Sequence, residues 1–185
     1  MKIIKVIFLF SIALFNFACS SDDKTCEAPD PKSIQLKVTA RGTVLGQPKT
    51  IVHPKTNETL EPTCYLMELV DTSTGKVIGT LEDCVVSSET PSDGTLTSRV
   101  ITFINIEGRG TIQAENMVFQ ELIPPYQDLN FDTSFTPTEN NVINTTFEFE
   151  GMEGTVSLEG KVSFINLGEG IVTFNCNFNI NLESY

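Results

Sequence analysis

Tryptophan is absent from this 185-residue chain, histidine occurs once, and 12 basic residues face 24 acidic ones. Each shortage excludes something. The single His53 stands between Val52 and Pro54 with no partner motif, so it reads as a surface or packing residue rather than a general base. There is no CxxC pair and no Cys/His cluster, which removes the usual basis for structural zinc. No G-x-S-x-G elbow is present, so serine hydrolysis has no support. EF-hand spacing is missing as well. The acid excess argues against a nucleic-acid or anionic-lipid surface. No stretch of convincing length has a helical period. No motif calls for a cofactor or a metal, and none assigns an oligomeric state.

What is present begins with an address. Lys2 and Lys5 precede a short apolar run, Ile7 to Leu14, and small residues and Cys19 follow. This is the layout of an export leader, too short for a usual membrane span. The run Asn16-Phe17-Ala18-Cys19 resembles the lipobox of bacterial lipoproteins, with Asn16 where Leu is usual. Ser20-Ser21-Asp22-Asp23-Lys24 resembles the export signal of surface lipoproteins in the Bacteroidota. The resemblance implies a signal peptide over 1–18, lipidation at Cys19, an acylated tether over 19–32 and a folded domain over 33–185. It places the protein on the outer membrane, facing outward or on the periplasmic side. Acyl chains would then be its only hold on the membrane. Without the two leader lysines the net charge is near −14, which suits solubility, a cationic partner or calcium.

Four further cysteines, Cys26, Cys64, Cys84 and Cys176, sit in an exported chain, where disulfides are permitted. Tyr65–Asp71 and Lys76–Asp83 read as strands joined by Thr72-Ser73-Thr74-Gly75. Folding about that turn sets Cys64 nearly opposite Cys84, a pair within disulfide reach. Alternatively, Cys26 pins the N-terminal arm to one of the others. Cys176 lies on an apolar face and reads as a buried thiol.

The strongest fold signal is at the C-terminal end. Val172, Phe174, Cys176, Phe178, Ile180 and Leu182 alternate with Thr173, Asn175, Asn177, Asn179 and Asn181. A period of two is a strand with one dry and one wet face, the habit of antiparallel sheets. Ile34–Thr39 alternates in the same way. Along Thr95–Ile106, Leu96, Val100, Ile104 and Ile106 share a face, yet Ile101 and Phe103 load the other, as in a closed or covered sheet. Thr111–Phe119, Ile143–Glu150, Gly154–Ser163 and Gly170–Leu182 read as further strands. Gly42–Thr63 reads as loop with one short strand near Thr50–His53. Leu122–Asn141, with Pro124, Pro125 and Pro137, reads as a long loop of the kind that is often functional. Seven to nine strands make an all-β fold, a small antiparallel eight-stranded β-barrel or, alternatively, a β-sandwich. An echo links Phe103–Gly110 to Phe164–Gly170, 61 residues apart, each a strand end entering a glycine turn.

Three stretches are similar to the allene oxide cyclase and dirigent barrel superfamily. They are Val70-Asp71 through Gly75 and Val77-Ile78-Gly79-Thr80 to Cys84, then strand 99–106 through Gly108 into Thr111-Ile112-Gln113-Ala114, then Phe147–Gly151 to Gly154 and Leu158-Glu159-Gly160. In the third, the family's adjacent glycines are replaced by Gly151 and Gly154. The likeness covers roughly residues 33 to 182 and implies an eight-stranded barrel with an apolar central cavity. The family's chemistry needs particular polar residues inside that barrel, and no motif here carries any of them over.

Candidate site residues follow from these patterns. Arg99 would anchor an anionic head if its face were the interior. Tyr65 and Tyr126 could line a cavity mouth, with Pro124-Pro125 bracing a lid. Glu148 and Glu150 alternate with Phe147 and Phe149, and with Glu153 and Glu159 they could serve glycoside hydrolysis, a cation or simply solvation. Asp128, Asp132 and Glu139 have the same standing, and the asparagine ladder could meet a glycan or be a neutral wet face. No motif assigns a catalytic set. The expected function is a non-enzymatic surface lipoprotein that holds a small apolar ligand or a partner. The alternatives are a cyclase-like or dirigent-like enzyme acting on an apolar substrate, and a structural or adhesive module.

Overall fold

A computed structural model describes residues 32–90 and 95–184 of the chain. The leader, Cys19, Cys26 and nearly all of the tether lie outside the described residues, and the expectations for them stand as proposals. The strands are β1 (Ser33–Leu45), β2 (Gln47–Pro48), β3 (Ile51–Val52), β4 (Thr59–Leu60), β5 (Thr63–Asp71), β6 (Val77–Glu89), β7 (Leu96–Ile106), β8 (Gly110–Leu122), β9 (Asn130–Phe135), β10 (Val142–Thr145), β11 (Glu153–Ser163) and β12 (Ile171–Glu183). No α-helix occurs among the described residues.

The alternation in β12 becomes geometry directly. Val172, Phe174, Cys176, Phe178, Ile180 and Leu182 are buried, and the residues between them point outward. β12 lies between β1 and β11, antiparallel to both. From β11 the sheet continues through β9, β8, β7 and β6 to β5. β5 returns to β1, with Val38 opposite Asp71 and Arg41 opposite Glu68. The sheet therefore closes on itself as an eight-stranded antiparallel barrel and is not a sandwich. Closure removes the edges that an open sheet would leave unpaired.

Residues 122–150 depart from the expectation in two ways. First, the long loop contains a barrel strand, β9, which turns Phe131 and Thr133 inward. Pairing covers only part of that position: β9 meets the end of β8, and β10 meets its earlier part. One stave of the barrel is thus split in two. In the gap, Asn141 stands in for a strand peptide. Its side-chain amide donates to Val156 O (2.9 Å) and accepts from Val156 N–H (2.8 Å). Second, Ile143–Glu150 is not one strand. It stops at Thr145 and tightens into a 3-10 turn over Phe147–Phe149. Phe149 is thereby driven into the core, while Phe147 is left 82% exposed with a left-handed φ of 53°. The rings and acids therefore do not sort onto two strand faces.

The two ends of the barrel differ. Below the middle, Leu69, Leu81, Ile104, Ile112, Ile180 and Leu182 fill the interior, and Phe149 and Met152 join the same cluster. Each large side chain so buried stabilises the fold by about 1.5–3 kcal/mol. Val172, Phe174 and Phe178 belong to this one cluster, and Leu36 packs against it. The two echoed turns lie at opposite ends: Ile106 pairs with Gly110 at the filled end, and Ser163 with Thr173 at the other.

Candidate functional site

At the end where β7 and β12 begin, the interior is hollow. A cavity of about 440 Å³ is walled by apolar side chains from β1, β5, β7, β8, β11 and β12, including Met67, Val100, Val118, Leu158, Phe174 and Phe178. This volume falls in the range of small-molecule sites. Tyr65 lines it, with its ring 5.5 Å from that of Phe174. Burial raises the Tyr65 pKa, so its hydroxyl stays protonated. Gln120, Ser98 and Thr133 add neutral hydrogen-bonding groups to the wall.

One acid reaches this space, and no sequence motif marks it. Asp83 shares its face of β6 with Leu81 and Val85, and so points inward. Its Oδ1 accepts a hydrogen bond from Thr102 Oγ–H at 2.6 Å. Thr102 in turn accepts from Asn116 Nδ2 (3.1 Å), and Asn116 Oδ1 accepts from Asn141 Nδ2 (2.7 Å). Four polar side chains thus run from the split stave to the carboxyl, every donor directed toward it. Desolvation nevertheless outweighs the Thr102 hydrogen bond and pushes the Asp83 pKa up to about 6. Cys176 also lines the cavity. Burial, with the nearby Asp83 charge, pushes its thiol up to about 12, which makes it a packed hydrophobe rather than a nucleophile.

The only sequence signal for Asp83 is parity. It is a charged residue on the same side as two aliphatic ones, inside a strand whose conspicuous features are its turn and its cysteine. Asn116 carries the same signal, between Ala114 and Val118 on the buried face of β8, but Asn141 lacks it, because the split stave beside it has no sequence period.

Arg99 is not in the cavity. It lies on the outer face of β7, where its Nε–H donates to Glu115 (2.7 Å) and its guanidinium lies 3.6 Å from Glu58. The anionic-head anchor is therefore corrected to an external ion pair. The cause is parity again: Val100 and Thr102 face inward, so Arg99 and Ile101 face outward. Ile101 is buried there, outside the interior cluster, together with Leu60, Cys64 and Cys84. The segment carrying β3 and β4 is tied to this outer wall by His53, whose Nε2 lies 3.2 Å from Glu115 Oε2. His53 Nδ1 accepts the backbone N–H groups of Lys55 and Thr56, so the proton sits on Nε2. The histidine is a buried clamp, 2% exposed, and not a surface group.

Tyr126 is 63% exposed and does not line the cavity, so its mouth-lining role is also corrected. It belongs to a 3-10 turn that precedes β9 and buries none of its residues. Cys64 and Cys84 face each other in register and form a disulfide. Their sulfurs lie near Glu82, but two bonded sulfurs do not serve as metal thiolates, and Glu82 is ion-paired with Lys49. Glu148 is held in a two-pronged contact by Arg109 (2.7 and 3.0 Å), which keeps its pKa below the usual carboxylate range.

No family model matches the chain, and no curated protein is significantly similar to it.

Proposed function

We propose that this protein is a lipid-anchored binding barrel of the outer membrane, exposed at the cell surface, that holds a small, mostly apolar molecule in the upper cavity and does no chemistry on it. The observation that carries the reading is the hollow end itself: a barrel able to fill one half with Phe and Ile leaves the other half open, with an apolar wall. Interiors are otherwise packed to crystal density, and an unfilled space of this size costs stability. Native mass spectrometry of the mature chain tests it. Retention of a small molecule, or uptake of a fluorescent apolar probe, is expected. A chain that emerges clean and takes up no probe would reject the reading. The leader, Cys19 and the Ser/Asp-rich segment support the address. Radiolabelled palmitate should enter the wild type and not Cys19→Ala, and protease treatment of whole cells should remove the domain.

A second reading is favoured by one specific observation. Asp83 stands in the cavity with a pKa of about 6, close to where a general base works. Together with the likeness to the allene oxide cyclase and dirigent superfamily, this supports an enzyme that moves a proton on an apolar substrate. Turnover of a bound molecule that ceases in Asp83→Asn, with binding kept, would select this reading over the first.

A further inference from the structure

The cavity is chemically one-sided, and this specifies its guest more closely. Of the side chains that line it, the ionisable ones are Tyr65, Asp83 and Cys176. No lysine, arginine or histidine is among them. Tyr65 and Cys176 are both held protonated by burial, which leaves Asp83 as the one group in the cavity able to carry charge. Thr102 is the side chain that donates to it, at Oδ1; among the described residues no other side chain is bonded to the carboxyl. A carboxylate in such a place is uncompensated, and a partner charge relieves it far more than a neutral group does. The aromatic faces of Tyr65 and Phe174, in contact with each other in the same wall, also attract a cation. The acidity of the whole chain adds a field of the same sign.

We infer that the cavity takes an amphiphile with a protonated amine head: the ammonium pairs with Asp83 at the inner end of the cavity, and the apolar body lies along Val100, Val118, Leu158 and Phe178. This rests on the binding reading above and adds the class of the ligand. A fatty acid, with its head of the same sign as Asp83, is disfavoured.

The test is calorimetric titration of the mature chain at pH 7.5 with n-decylammonium, n-decanol and n-decanoate, three probes with one tail. The ammonium should bind about tenfold more tightly than the alcohol, because it adds the attraction of opposite charges to a hydrogen bond that either head can donate. The decanoate should bind most weakly. In Asp83→Asn the ammonium should lose its advantage while decanol affinity is kept. Equal affinities for the three probes, or an ammonium preference that survives Asp83→Asn, would overturn the inference and leave the binding reading standing. Failure of all three probes to bind would remove the binding reading itself, and the inference with it.

Discussion

The two ends of the barrel are built from the same strands, yet they follow different rules. At the filled end, β7 and β8 contribute Ile104, Ile106 and Ile112 to a continuous aliphatic cluster sealed by Phe149. At the hollow end the same two strands contribute Ser98, Val118 and Gln120 to the wall of a cavity. Between them lies the polar chain Asp83–Thr102–Asn116–Asn141. One end holds the fold together, and the other tolerates an opening and a buried acid.

The largest break in this contrast should come from Phe149→Ala, which empties the seal of the filled end. A loss of about 4 kcal/mol is expected in urea unfolding. A loss below about 1 kcal/mol would mean that the filled end is not the source of stability. At the hollow end the expected effect has the opposite sign. Asp83 has its pKa raised above the unfolded value, so the folded state binds the proton more tightly. The wild type should therefore lose stability as pH rises from about 4 to about 6 and bear the full penalty of the buried charge above that window. Asp83→Asn should remove this dependence and add on the order of 3 kcal/mol at pH 7.5, with little gain at pH 4. Parallel unfolding curves for the two proteins at all pH values would contradict the placement of Asp83.

A smaller effect is expected where the ends meet. Asn141→Ala leaves Val156 N–H and Asn116 Oδ1 without their partner and should cost about 2 kcal/mol. Faster amide exchange should appear at Val156 first. The smallest effect belongs to the outside of the seal. Phe147 is exposed and has a left-handed backbone, a conformation that Asn adopts more readily. Phe147→Asn should stabilise the protein by up to about 1 kcal/mol.

Much of the barrel wall is legible in the residue pattern alone. β12, β1 and β7 alternate visibly, and the turn ending in Gly75 has a φ of 70°, where glycine is unstrained. Once that turn is placed, its register leaves Cys64 one residue short of Cys84, and a one-residue register shift between Leu69 and Val70 brings the two opposite each other. β9 escapes the pattern because it is six residues long, lies after two prolines, and turns the polar Thr133 inward. Phe147–Phe149 misleads because an alternating Phe/Glu run looks the same whether it extends or coils. The side on which Arg99 lies is ambiguous because both faces of β7 carry apolar residues, one filling the barrel and the other buried outside its core.

That the chain is all-β and antiparallel, and that it buries six alternating residues of its last strand, is written in local order, because a period of two is a property of the extended backbone itself. Which half of the interior stays empty, and that Asp83 stands in it, is settled by the closed barrel. Those outcomes depend on the register between strands far apart in the chain, and on the summed volumes of side chains that meet only when the sheet closes.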